Sequence, residues 1–238
     1  QNQVEKVSDH LFEKGAMVIP GEIGYDLNYF AVKLTSFSGT LSNYDGSVLT
    51  GGTSGVQAIV VNTAATDGSD PDTLFVKYIK TGTNNTSVVF TDGETITGVG
   101  ADSSAVSAVV DTTATGSAAE VQAGTYYING FQVQVDNQTL ILDKYTNTPS
   151  YRVGLTVTES FVTPSDDSTL NDNAAGSSNV NAPGAHRFKI QLTLAKLSLT
   201  STSDNNFVEL LRLSSGVIQN QVRTTEYSVL EDTLARRT

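Results

Sequence analysis

Apolar and polar residues alternate with a period of two over long stretches of the second half of the chain. The alternating apolar positions are Tyr151, Val153, Leu155 and Val157 in YRVGLTVTESFV, and Phe188, Ile190, Leu192 and Leu194 in HRFKIQLTLAKL. A period of two predicts strands with one buried and one wet face. In TYYINGFQVQVD, Asn129-Gly130 separates two further strand-like runs. This dipeptide predicts a hairpin, because both residues tolerate the positive φ of a type I′ turn.

The segment 38–120 has a different character, with short valine-rich runs set in Gly, Thr, Ser and Ala. The runs VQAIVV, TLFVKYI, SVVF and AVSAVV predict short strands joined by turns. Residues 47–66 resemble residues 94–115, since both contain a strand end, a Thr-Gly turn and a valine strand. Two explanations stay open: convergent low-complexity β sequence, or a small β-barrel whose first and last hairpins are alike.

Both ends of the chain have helical patterns. Val4, Val7 and Leu11 form one stripe of a helix predicted over residues 1–14. At the other end, Ser228 and Glu231 form a capping-box pattern before a second short helix. That helix carries the apolar residues Val229, Leu230 and Leu234. Each stripe is expected either at a subunit interface or docked on the chain's own β body.

These patterns predict a mainly β fold: an antiparallel β body with an inserted small β-barrel-like domain and short terminal helices. Residues 1–37 provide the N-terminal helix and the first strands of the body. Residues 38–120 form the inserted domain. Residues 121–238 complete the body, with a long loop at 163–186 and the C-terminal helix.

Composition narrows the range of functions. Only 16% of the residues are charged and the net charge is −11, which argues against a nucleic-acid partner. The chain has no cysteine, so disulfides and thiolate metal sites are excluded. No apolar run approaches the roughly 18 residues of a membrane span, and no membrane insertion is expected. Because the chain begins with Gln1 and not with methionine, we expect a fragment or a processed product.

The sequence contains no clear catalytic motif. Asp166, Asp167 and Asp172 resemble a possible acid–base set for sugar hydrolysis, but nothing in the sequence marks one pair. The two histidines, His10 and His186, are far apart and have no metal-ligand spacing. The stretch GGTSG (51–55) does not fit the G-x-S-x-G nucleophile elbow. We therefore predict no enzymatic activity, no cofactor and no metal.

The stretch DDSTLNDNAAGSSNVNAPGAHRF (166–188) is too long for a neutral connection and is rich in turn-forming residues. Its low charge and many amides suit hydrogen bonding against a neighbouring subunit. We predict an ordered assembly loop with interface residues Asn171, Asn173, Asn179 and His186.

Several stretches together resemble a family of virion structural proteins of tailed, myovirus-type cyanophages that carries a conserved domain of unknown function. The stretches are EKGAMVIPGE, YDLNYFAVKL, TYYINGFQVQVD, LDKYTNTPSYRVGLTVTESFVTP, LNDNAAGSSNVNAPGAHRFKIQLTL and VRTTEYSVLEDTLARRT. The resemblance covers residues 1–36 and 121–238. It implies a component of the tail, baseplate or tail fibre, with no catalytic residues to carry over. It also implies a homo-oligomer, expected to be a trimer, that binds other tail or baseplate proteins in the virion.

An alternative function is a carbohydrate-binding adhesin module that contacts a host-surface glycan. Such a module needs exposed aromatic side chains along a groove. The chain has no tryptophan, and Tyr44 and Tyr78 are the candidates that the sequence offers. An enzyme that cuts host polysaccharide is the third and weakest hypothesis.

Overall fold

The structure is a computed structural model that describes residues 12–201, 204–222 and 234–236. Its strands are β1 (Met17–Ile19), β2 (Ile23–Phe37), β3 (Val48–Gly51), β4 (Gln57–Ala64), β5 (Thr73–Lys80), β6 (Thr95–Val99), β7 (Ala105–Val121), β8 (Gly124–Ile128), β9 (Phe131–Val135), β10 (Gln138–Asp143), β11 (Tyr151–Val162), β12 (Arg187–Ser198), β13 (Phe207–Ser214) and β14 (Val217–Gln221). Two short 3-10 helices lie at Leu41–Tyr44 and Ser168–Leu170. The mainly β, antiparallel fold predicted from the sequence is confirmed.

Six strands close into a ring in the order β2-β5-β4-β3-β6-β7, with β7 pairing back onto β2. Alternate residues of these strands point inward and fill the ring, as Ala58 and Val60 of β4 do. Inside the closed sheet, Tyr44 and Phe90 contribute the largest side chains of a fully buried core. Closure leaves the ring strands without a free edge. The predicted barrel-like element is present, and the second half of β2 is one of its strands.

The two similar segments of the sequence form neighbouring hairpins of this barrel. The first is β3–β4 and the second is β6–β7, and β3 pairs with β6. Thr50 lies opposite Thr97, while Leu49 lies opposite Gly98 and Gly51 opposite Ile96. The two copies are therefore related by an approximate local twofold axis that passes near Thr50 and Thr97.

The long strands β2 and β7 run on from the barrel into the body, where β10 joins the outer side of β7. Two smaller sheets complete the body, with strand orders β1-β8-β9 and β12-β11-β13-β14. Their facing sides enclose a second core that includes Met17, Tyr126, Val135, Leu155 and Leu211. The predicted alternation holds here, since Val153, Leu155, Val157, Leu192 and Leu194 are all buried.

The predicted turn at Asn129-Gly130 joins β8 to β9, with φ of 47° and 93°. Ser215 and Gly216 make a similar turn between β13 and β14, with φ of 51° and 77°. Positive φ at both central positions matches the twist of the flanking strands, so both hairpins close tightly.

Two local predictions need correction or fall outside the described chain. Ser87–Phe90 is not a strand; it is a loop that delivers the Phe90 side chain into the barrel. The Asn84 side chain starts this loop by accepting hydrogen bonds from the N–H groups of Thr86 and Ser87. The predicted terminal helices lie largely outside the described residues, and Phe12–Lys14 is not helical.

Candidate assembly surface

A two-stranded ribbon extends from one end of the body. β12 pairs with β11 as far as the Val162–Arg187 pair. β13, on the other side of β11, stops pairing at the Thr156–Phe207 pair. The hairpin arms 158–162 and 187–191 therefore continue beyond their sheet. A two-stranded ribbon is marginally stable by itself, so this one depends on what packs against it.

Three phenylalanines cluster on the inner face of the ribbon. Phe188 lies 5.9 Å from Phe131 and 5.5 Å from Phe161, measured between ring centroids. The exposed fractions are 47% for Phe131, 66% for Phe161 and 46% for Phe188. We call these three residues the aromatic patch. A contiguous, exposed apolar patch is often an interaction surface.

The tip of the β8–β9 hairpin holds the ribbon in place. The Asn129 side chain donates a hydrogen bond of 2.8 Å to the Glu159 carboxylate. This bond places Phe131, which follows the turn, against Phe188. The aromatic patch thus continues the row of buried residues between the two sheets. At the patch itself, no described residue covers that row.

The two edges of the ribbon differ. Along β12, the Gln138 side chain donates to the Leu192 carbonyl (3.0 Å) and accepts from the Leu194 N–H (2.8 Å). Lys196 reaches the carbonyls of Ile141 and Leu142 on β10. Some of the outward backbone N–H and C=O groups of β12 therefore already form hydrogen bonds within the chain.

Within the described part of the chain, the β11 edge is unpaired past the end of β13. The Val157 N–H points to that side, where it donates to the Asn206 carbonyl at 2.7 Å. Backbone groups alternate in direction along an antiparallel strand, so those of Glu159 and Phe161 point the same way. Among the described residues, no strand pairs with this part of the edge. Such an edge is a ready template for another strand.

The long loop 163–186 closes the ribbon, and its three aspartates each cap a local turn. Asp166 accepts from the N–H and hydroxyl of Thr163, Asp167 from those of Thr169, and Asp172 from the Ala174 N–H. These hydrogen bonds hold the pKa of Asp166 and of Asp167 below the usual value. A general acid needs a raised pKa, so these two carboxyls are poorly suited to that one role in glycoside hydrolysis.

Backbone hydrogen bonds join the two ends of the predicted loop, between Asp172 and Ala182 and between Leu170 and Ala185. Asn171 forms a β-bridge with Pro183, and Leu170 beside it is the buried anchor of the loop. Asn173, Asn179 and His186 are exposed.

The remaining predicted interface residues lie at the chain ends. Of these, Leu234 is 58% exposed. The others are outside the described part of the chain: Val4, Val7, Leu11, Val229 and Leu230.

Sequence reasoning did not single out the aromatic patch. It assigned Phe188 to the buried face of β12 with Ile190, and the face is correct. The available signal was the continuation of strand alternation to Phe161, but the missing neighbour strand that exposes it is a tertiary feature.

A lysine occupies the acidic loop 66–72. The Lys144 ammonium lies 2.8 Å from the Asp67 carboxylate and 3.1 Å from that of Asp70. Asp72 instead accepts a hydrogen bond from the Thr66 N–H. The chain's own lysine therefore offsets part of the negative charge of this loop. In the described ranges, no three His, Cys, Asp or Glu side chains are grouped to hold a metal ion.

The GGTSG stretch binds a carboxylate of the same chain. Glu94 is buried and accepts from the N–H groups of Thr53, Ser54 and Thr91 and from the Ser54 hydroxyl, over 2.7–3.0 Å. Burial raises the pKa of Glu94, but these hydrogen bonds outweigh it and the pKa lies below its usual value. Ser54 is thus engaged in the barrel wall and is not an activated nucleophile.

The tyrosines expected on a sugar-binding groove are in the barrel core. Tyr44 is 0% exposed and its hydroxyl donates to the Ser107 carbonyl at 2.7 Å. Tyr78 lies between the rings of Phe30 and Phe90. The expectation that these two residues are exposed is wrong, because both complete the packing inside the ring.

A cleft of about 270 Å³ lies where β2 and β7 pass from the barrel into the body. The residues that line it include Tyr25, Asp26, Lys77 and Glu120. Tyr25 and Glu120 are exposed to solvent. The cleft offers an aromatic face together with hydrogen-bonding groups of both charges.

These features define a class: an all-β protein in which a closed barrel and a β body share two long strands. Residues 57–238, well over half of the chain, match the family described as "Domain of unknown function (DUF4815)", and the chain belongs to that family. The matched range includes residues 57–120 and does not include residues 1–56. Searches of curated proteins and of solved structures each found no match. Within the described chain, no helix is both long and apolar enough to cross a membrane.

Proposed function

We propose that this protein is a structural component of a phage virion tail, in the baseplate or at a tail-fibre attachment, and acts through subunit assembly. The observation that carries the proposal is the aromatic patch on a ribbon that extends beyond its own sheet. Covering about 100 Å² of phenylalanine surface stabilises a contact by about 2.5 kcal/mol, which gives a reason for subunits to associate.

Two further features support this function. The resemblance of the loop at 170–188 and of the C-terminal segment to virion structural proteins points to the same role. The carboxylates weighed for catalysis are engaged in local turns, and Ser54 of the GGTSG stretch is engaged in the barrel wall. In this proposal the protein forms a homo-oligomer, expected to be a trimer, and binds other tail or baseplate proteins.

Immunogold labelling of intact phage particles tests the proposal. An antibody raised against residues 38–120 is applied and the particles are viewed by electron microscopy. We expect gold at the tail or baseplate. Preimmune serum is the control. If particles carry no label and the protein is found free in lysates, the structural role is wrong.

The second candidate function is binding of a host-surface glycan, and the cleft beside Tyr25 is the observation that favours it. A sugar ring packs on an aromatic face while its hydroxyls bond to carboxylates and amines. A glycan array tests this, with Tyr25→Ala as the variant and exposed Val48→Ala as the matched control. Binding that is lost in the first variant and kept in the second supports the adhesin function. If the unaltered chain binds no glycan, this candidate is excluded.

A further inference from the structure

We infer that the open β11 edge of the ribbon pairs with the same edge of a second copy of this chain, as two antiparallel strands about a twofold axis at Ser160. This inference rests on the proposed assembly function and specifies the surface and the partner.

The backbone directions suit such a pairing. The outward N–H and C=O groups belong to Glu159 and Phe161, two residues apart, with Ser160 between them. In an antiparallel pair centred on Ser160, Glu159 of each copy lies opposite Phe161 of the other. Those two positions exchange hydrogen bonds, and the twofold axis makes both exchanges identical, as an isologous contact requires.

The side chains are compatible with self-pairing. Like charges directly opposite each other destabilise a sheet, and here Ser160 is the residue that meets its own copy. The two Phe161 rings become diagonal neighbours, within reach of each other, and so do the two Glu159 side chains, each of which accepts a hydrogen bond from Asn129 of its own chain. The Phe161 rings are the most exposed members of the aromatic patch, at 66% in the single chain.

The β12 edge suits this contact less well. Its exposed residues include the cations Arg187 and Lys189, which would approach their own copies across a twofold axis. Gln138 and β10 also already contact β12 at Leu192, Leu194 and Lys196. The pairing therefore uses β11. It joins subunits in twos, and a trimer would require a separate surface.

The absence of cysteine from the chain makes a clean test possible. Ser160→Cys places a single thiol opposite its own copy, at a non-hydrogen-bonded pair where the Cα atoms are about 4.5 Å apart. Lys189→Cys is the matched control, since Lys189 lies directly opposite Ser160 in the ribbon, on the same face but on the other strand. Each full-length variant is oxidised mildly, and the cross-linked fraction is measured on non-reducing gels over a range of concentrations.

We expect Ser160→Cys to form a covalent dimer readily and Lys189→Cys to form several-fold less. We also expect Phe161→Lys, added to Ser160→Cys, to reduce the cross-link several-fold, while circular dichroism shows that the fold is retained. If Ser160→Cys stays monomeric, or if both single-cysteine variants cross-link equally, the inference is overturned. That result includes the case in which another segment of the same chain covers the edge.

Failure of this inference is distinguishable from failure of the proposed function. A monomeric Ser160→Cys variant together with gold on the tail overturns the pairing and retains the virion role. A cross-linked dimer with unlabelled particles retains the pairing and overturns the virion role.

Discussion

The backbone nitrogen of Ser54 lies 2.9 Å from a carboxylate oxygen of Glu94, 40 residues away, and donates a hydrogen bond to it. The Ser54 hydroxyl binds the other oxygen at 2.8 Å. This contact joins the β3–β4 turn to the start of β6. A Cβ at Gly51 would lie 2.7 Å from both carboxylate oxygens, so a residue without a side chain is required beside the carboxylate. A glycine-rich turn thus serves as the binding site for a buried acid.

Glu94→Gln is expected to lower the free energy of unfolding by about 2 kcal/mol, because the amide places N–H donors against backbone donors. The measurement is urea denaturation at neutral pH. Exposed Glu120→Gln is the matched control and should change stability little. Since the pKa of Glu94 is lowered in the folded state, its contribution is present above the unfolded pKa of about 4.3 and is lost as pH falls through the folded value. Glu94→Gln should therefore flatten the acid limb of stability against pH; an unchanged limb would contradict this assignment.

Gly154→Ala is expected to destabilise the body by about 3 kcal/mol, the cost of overpacking in a close contact. A Cβ at Gly154 would collide with the backbone of Val208, where the pairing of β11 with β13 shifts register. Gly24→Ala is the control, because its nearest heavy atom would be 3.9 Å away, and it should stay within about 1 kcal/mol of the parent. Thermal unfolding of both variants makes the comparison, and equal stabilities would show that the two strands separate easily at this point.

Arg152→Met is expected to cost about 2 kcal/mol, since it leaves two carboxylates without their shared partner. Arg152 donates to Glu209 (2.5 Å), to Asp204 (3.1 Å) and to the Ser201 carbonyl. These bonds fix the connection that crosses from β12 to β13. Arg212→Met is the control, because Arg212 also binds Glu209 but is 44% exposed, and it should cost less. Urea denaturation measures the free energy of unfolding of both variants. A larger decrease for Arg212→Met than for Arg152→Met would contradict the importance of this connection.

Lys144→Met is expected to raise the pKa of Asp67 towards its usual value. The Lys144 ammonium is the main cause of the strongly lowered pKa of Asp67, followed by the N–H groups of Asp70 and Ser69. The pKa is measured by NMR titration of the carboxyl carbon. The pKa of Asp166, which is lowered by Thr163, is the internal control and should not move. If the pKa of Asp67 stays low in the variant, its backbone hydrogen bonds are the main cause and the lysine is not.

Alkaline pH is expected to destabilise the fold in a window set by the partly buried Tyr78 and the fully buried Tyr126. Burial raises the pKa of Tyr78 and of Tyr126 to about 12, whereas a tyrosine in the unfolded chain ionises near 10. The folded state therefore holds more protons between these values, and stability present below pH 10 falls as pH rises towards 12. Phenolate absorbance follows the ionisation. Tyr126→Phe should flatten the alkaline limb and exposed Tyr25→Phe should not; equal effects of the two would contradict this origin.

The sequence by itself determined the features that depend on near neighbours along the chain. Alternation in β11 and β12 specified which face is buried, because successive side chains of a strand point to opposite sides. Asn129-Gly130 specified its turn, because both residues accept positive φ. Valine content was misleading at Ser87–Phe90, where the Asn84 side chain accepts backbone hydrogen bonds that form a loop and Val88 is exposed.

How these strands and turns pair and pack against one another depends on contacts between residues that are distant in the sequence, and only the tertiary structure shows it. The register of β2 on β7 closes the barrel and carries both strands into the body, and no local pattern encodes a pairing of residues about 80 positions apart such as Lys33 and Thr112. The same holds for Glu94 and the GGTSG turn. Phe161 lies on the same face of β11 as the buried Leu155 and Val157, yet it is 66% exposed in the part of the strand where β13 no longer pairs. Side-chain direction is a local property of the strand, but burial depends on whether a distant segment arrives to cover it.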